Sequence, residues 1–142
     1  MTLLTQLPMP ATLLVSIVIA AVLVYAPFIL VGAARLQMGY DMSAPRTMTD
    51  KMPSYAQRAN WAHQNAFESL ALFAPAALMA YVTGQDSTIA LGAVMAYLIA
   101  RSLYSVFYIL DIPLLRSAMF ATGSLAIYTL FFLSCRTALA IG

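Results

Sequence analysis

The 142-residue chain is 63% hydrophobic and only 8% charged, with a mean hydropathy of +0.86, whereas a soluble domain carries about a quarter charged residues. It reads as one integral membrane domain, residues 1–142, all-α, with no room for a soluble module beside the hydrophobic segments. The net charge of +2 comes from seven cations spread along the chain, so no clustered basic face exists for nucleic acid.

A bilayer core about 30 Å thick takes about 20 mostly apolar residues in a helix, and four segments reach that length. The opening MTLLTQLPMP has no Lys or Arg ahead of its apolar run, so it lacks a secretory signal's basic region and the first segment is expected to stay in the mature protein. That first span covers about 10–34, contains ATLLVSIVIAAVLVYAPFILVGAA, carries no charge and should kink at Pro27. A polar loop follows, ARLQMGYDMSAPRTMTDKMPSYAQ, broken by Gly39, Pro45 and Pro53. The second span, about 57–83, opens with RANWAHQNAFESLALFAP and so brings Arg58, His63, Asn65 and Glu68 with it. The turn YVTGQDST leads into the third span, about 87–110, which ends in ARSLYSVFYIL. After LDIP the fourth span, about 114–139, begins LLRSAMFATGSL. Its Cys135 lies in the apolar run YTLFFLSCRT and reads as a small buried hydrophobe; as a single cysteine it allows no intrachain disulfide.

Basic residues near helix ends set orientation. Arg35, Arg46, Lys51, Arg58 and Arg116 fall on one side and Arg136 alone on the other. The long loop 35–57 is therefore expected on the cytoplasmic face, with both termini opposite. Short loops and the absence of organelle signals fit a bacterial inner membrane.

The polar residues inside the spans carry the chemistry. Arg58, Trp61, Asn65 and Glu68 recur at i, i+3, i+7 and i+10, on one helical face, with Glu68 about 15 Å along the axis from Arg58. Arg101 lies about 13 Å from the end of the third span, at matching depth. A lone charge there costs on the order of 3 kcal/mol and so normally faces inward and pairs. Glu68 and Arg101 are expected to approach one another, with Asn65 nearby. Arg101, Tyr104 and Tyr108 form a stripe at i, i+3 and i+7, and Arg116 opens the fourth helix at the same end. Such guanidinium, phenol, amide and carboxylate groups suit a polar, anionic, flexible ligand. The alternatives are an ion pair that merely fixes packing and an interfacial aromatic belt, the latter fitting Tyr108 better than Tyr104.

His63 reads as a packing or hydrogen-bonding residue; with no Cys/His/Asp cluster around it, no metal site is expected. The nine methionines are scattered and suit core filling. Gly92, Ala96 and Ala100 form a small-residue stripe for close helix contact, within a subunit or between subunits.

The segment WAHQNAFESLALFAP resembles the second-helix signature of the MAPEG family, membrane-associated proteins in eicosanoid and glutathione metabolism: Arg-Ala-His-x-Asn-x-x-Glu. Ala62, His63, Asn65 and Glu68 match it, ARSLYSVFY is similar to the family's Arg-x6-Tyr element, and LLRSAMF places Arg116 where prostaglandin E synthase-like members carry a thiol-activating arginine. Trp61 stands where the signature has its arginine, and Arg58, one turn earlier, is the candidate substitute. The resemblance implies a homotrimer of four-helix bundles binding glutathione as co-substrate between subunits. It implies that Arg58, Asn65, Glu68, Arg101 and Tyr108 hold the tripeptide, with Tyr104 added from the stripe, and that Arg116 is catalytic, stabilising the thiolate. The expected activity is a glutathione-dependent transferase or peroxidase acting on hydrophobic small molecules that arrive through the lipid. The alternative is a non-catalytic protein of the same fold that binds a lipid-like or peptide-like ligand or serves as an accessory subunit. A small drug/proton exporter is disfavoured because the first span holds no carboxylate.

Overall fold

The computed structural model describes residues 8–140; the opening residues 1–7, read above for their missing basic region, lie outside it, as do 141–142. Along the chain run α1 (Met9–Tyr25), α2 (Phe28–Gln37), a 3-10 helix (Pro45–Lys51), α3 (Ser54–Val82), α4 (Thr88–Ile109) and α5 (Pro113–Ala140). The pair α1–α2, and each of α3, α4 and α5, is long and apolar enough to cross a membrane, and no strand occurs among the described residues. The all-α, four-span architecture follows from composition, since a lipid-embedded backbone must satisfy its hydrogen bonds within each helix.

The first span is two helices because Pro27 has no N–H to continue α1. At this break the Val24 carbonyl lies 2.7 Å from His63 Nδ1 on α3. A carbonyl only accepts, so Nδ1 carries the proton and His63 ties the break to the second span.

Small residues dominate the buried face of α3, with Ala56, Ala59, Ala62, Ala66, Ala76 and Ala77 all enclosed. They let neighbouring helices approach closely where lipid offers no hydrophobic drive to associate. Near mid-bundle Phe73 stacks on Tyr97 with ring centroids 3.7 Å apart, and the Tyr97 hydroxyl shares a 3.1 Å hydrogen bond with Ser69. The small-residue stripe of α4 splits. Ala100 is buried inside the bundle close to Gly123 of α5, while Gly92 faces outward. Cys135 is exposed, contrary to the reading above. Apolar neighbours did not place it, because lipid-facing and core positions use the same side chains.

The turn between α3 and α4 is closed by Gly84, at φ +65°, and by a hydrogen bond from Gln85 N to Ala80 O. The buried Gln85 side chain then donates to Thr137 Oγ1 at 2.7 Å and to Leu133 O at 3.3 Å, fastening the turn to α5. In the long loop Asp41 Oδ1 accepts from Ser43 Oγ at 2.7 Å and from the backbone of Ser43 and Ala44, just ahead of the 3-10 helix. These bonds, led by the Ser43 hydroxyl, hold its carboxyl below the ordinary value of 3.8.

Gln85→Ala strands that connection and is expected to cost about 1–3 kcal/mol, read as a lower Tm in detergent. The depressed carboxyl of Asp41 stabilises its turn fully above the ordinary value and progressively less as pH falls through the lowered one. Slowed amide exchange at Ser43 and Ala44 should therefore distinguish wild type from Asp41→Ala at neutral pH and cease to do so in strong acid.

Candidate functional site

The polar face of α3, the Arg101 stripe of α4 and the first turn of α5 meet at the loop end of the bundle. Arg101 is 5% exposed, and its Nη2 donates to Asn65 Oδ1 at 2.9 Å. Asn65 Nδ2 in turn donates to Glu68 Oε2 at 3.4 Å. The expected direct approach of Glu68 to Arg101 is therefore replaced by a relay through the amide. The correction has a geometric cause. Asn65 lies nearly one turn closer to the loop end than Glu68, and an amide can accept from a guanidinium and donate to a carboxylate at once.

Arg101 Cζ also lies 4.3 Å from the Tyr104 ring centre, a desolvated cation–π contact. Tyr104 meets Tyr108 edge to face at 5.5 Å, and Arg116 Cζ sits 4.7 Å from the Tyr108 ring centre. Trp61 closes this row from α3, 6.5 Å from Tyr108. Glu68, Asn65, Arg101, Tyr104, Tyr108 and Arg116 thus form one continuous chain of contacts. Tyr104 and Tyr108 belong to it as ring platforms for arginines. Glu68 is exposed on the surface of the chain although it belongs to a membrane-length helix.

Arg58 does not join them. Its Nε donates to the Ile109 carbonyl at 3.0 Å and its Nη1 lies 3.9 Å from Asp111 Oδ2, so it caps the C-terminus of α4. Asp111 occupies the left-handed position after that helix, at φ +59°, where a short polar side chain is tolerated. This capping partner was invisible to sequence spacing because it depends on the turn's conformation.

A second recess, with a cavity volume of about 700 Å³, opens between α2, the 3-10 helix and α3. Asn60, His63, Gln64 and Phe67 reach it from α3 at i, i+3, i+4 and i+7, a stripe adjacent to the Asn65 face, with Trp61 between the two. Arg35 and Arg46 line the far side. Sequence position marks these two arginines only as orienting charges; the second polar periodicity on α3 is the signal that points to the recess.

The model of the MAPEG family matches residues 12–136, nearly the whole chain. No curated protein and no solved structure matches the chain.

Asn65→Ala should destabilise the protein by about 1–3 kcal/mol, because a buried guanidinium loses its acceptor. Glu68→Ala should cost about 1 kcal/mol or less, since its bond is long and exposed. Thermal unfolding of the two variants in the same detergent checks the order, and a larger loss for Glu68→Ala would contradict the relay.

Proposed function

We propose, on the premise that the chain belongs to the MAPEG family, that it is a membrane-bound glutathione-dependent transferase or peroxidase for hydrophobic electrophiles. Family membership and four apolar spans make it an integral multi-pass membrane protein of the family of glutathione and eicosanoid metabolism. The observation that carries the finer reading is the state of Arg116. Its guanidinium rests on the Tyr108 ring rather than on a carboxylate, and the ion pair found among the described residues is Arg58 with Asp111. Arg116 therefore keeps its positive charge available at the end of a row of donors.

The residues present suit glutathione. Arg101 and the Tyr104 and Tyr108 hydroxyls offer donors for carboxylates, while Glu68 and Asn65 offer acceptors for the amine. Glutathione supplies the thiol, whose ionised form is the nucleophile. Arg116 lowers the cost of that ionisation by standing beside the sulfur, and the proton leaves to solvent at the loop end. Acceleration then rests on thiolate population and on holding both reactants together. Arg58, committed to α4, stabilises the site's frame instead of replacing the signature arginine at Trp61.

In this reading loop 35–57 faces the cytosol, as the basic residues direct, and the protein works as a homotrimer. Exposed Glu68 supports the assembly, since a carboxylate left against lipid costs on the order of 3 kcal/mol, and a second copy packed on that face would shelter it. A non-catalytic binding protein is the second reading, favoured by Trp61 in place of a carboxylate-binding arginine.

Detergent-purified protein is expected to bind glutathione and to show thiolate absorbance in the ultraviolet. Arg116→Ala should lose the thiolate signal and retain binding. Absence of binding at millimolar glutathione would remove the transferase reading and leave the binding-protein one.

A further inference from the structure

The row of contacts from Glu68 to Arg116 holds fewer cations than glutathione needs. Among the described residues two guanidiniums belong to it, Arg101 on the Asn65 amide and Arg116 on the Tyr108 ring. Arg58 is spent on the Ile109 carbonyl and on Asp111, while Arg35 and Arg46 line the separate recess across Trp61. Glutathione with its thiol ionised brings two carboxylates, the sulfur and an ammonium. Arg101 and Glu68 are bridged by Asn65, so a cation and a carboxylate stand side by side. That pair suits an α-amino-acid head, whose own carboxylate and ammonium share one carbon. With Arg116 beside the sulfur, the second carboxylate of the tripeptide has no cation left.

What that end of the ligand meets is an indole. From Glu68 toward the loop end, the same face of α3 presents Asn65 and then Trp61, about 10 Å further along the axis. A γ-glutamyl head at Glu68 and Arg101 with the sulfur at Arg116 therefore sends the glycyl end toward Trp61. The Trp61 side chain is 45% exposed, and its ring centre lies 6.5 Å from that of Tyr108. It offers one N–H and a flat apolar surface, with no charge. A carboxylate laid against it loses water without gaining a counter-charge. A planar amide in the same place gives up far less and keeps the contact. Leaving a charge unpaired is a way of rejecting one ligand in favour of another.

We propose that Trp61 determines the specificity of this site, selecting a γ-glutamyl thiol whose second carboxyl is neutral, as an amide or ester, over glutathione itself. The proposal rests on the transferase reading and names the form of thiol that the site prefers. Trp61 acts on the binding of the thiol and leaves its ionisation to Arg116.

The full chain in detergent is titrated with three thiols, following thiolate absorbance: glutathione, glutathione amidated at its glycine carboxyl, and the isomer amidated at the glutamyl α-carboxyl. The two amides carry the same charge and differ only in which end is neutral. The glycyl amide should bind about tenfold more tightly than glutathione, because it leaves no charge unpaired. The glutamyl amide should be the weakest, since Arg101 loses its carboxylate. Trp61→Arg supplies the missing cation and should bring glutathione level with the glycyl amide or ahead of it; the wild-type ranking tests the proposal even where that variant does not fold. Glutathione binding as tightly as its glycyl amide in wild type overturns the proposal and leaves the transferase reading standing. Equal binding of the two amides does the same, as does an unchanged preference in folded Trp61→Arg. A thiolate signal from none of the three removes the transferase reading and this proposal with it.

Discussion

A guanidinium enclosed among membrane helices has to be satisfied by side chains, because lipid supplies none of the hydrogen bonds that water would. Arg101 meets that demand on two fronts, with the Asn65 amide in its plane and the Tyr104 ring on its face. The first contact fixes α3 against α4 in register, and the second fixes the rotamer of the stripe that continues to Tyr108. Once Tyr108 is set, its ring becomes the platform on which Arg116 of α5 lies. Three helices are thereby aligned by one buried charge, and the polar end of the bundle inherits its geometry from that alignment.

Close packing makes the arrangement possible. Gly123 brings α5 so near α4 that a Cβ there would lie 3.5 Å from Arg101 Cδ and about 4.0 Å from Ala100 and Tyr97. The aliphatic stem of Arg101 is therefore gripped between helices while its head reaches α3, which is how an amphipathic side chain fills apolar space and still delivers a charge. The alanines along α3 serve the same purpose on the other side, allowing Tyr97 and Phe73 to stack in a narrow interior.

Much of this was legible in the sequence. Run length and hydropathy located four spans, since the bilayer imposes a length that soluble packing does not. Periodicity placed Asn65 with Glu68 and Arg101 with Tyr104 and Tyr108, since the period of a helix is fixed by its geometry. What stayed hidden depended on partners rather than faces. Spacing put Arg58 on the Glu68 face, but the left-handed turn at Asp111 and the free Ile109 carbonyl drew its head away. Matching depth suggested that Glu68 and Arg101 touch, but which side chain stands between them is a question of reach. Cys135 was misplaced because hydropathy cannot separate a core position from a lipid-facing one.

The arginines at the loop end form a graded series in how fully the fold engages them. Arg58 has a carbonyl and a carboxylate and is spent on the frame. Arg101 has an amide and a ring, which satisfies one nitrogen and leaves its charge without a direct counter-ion. Arg116 has a ring, and Arg35 has a ring and a sealed Nε without a partner. Rings stabilise a cation without neutralising it, so Arg116 and Arg35 keep their charge without an ion-pair partner among the described residues. The fold thus commits Arg58 and Arg101 to contacts that bind the helices to one another and leaves Arg116 and Arg35 engaged by rings.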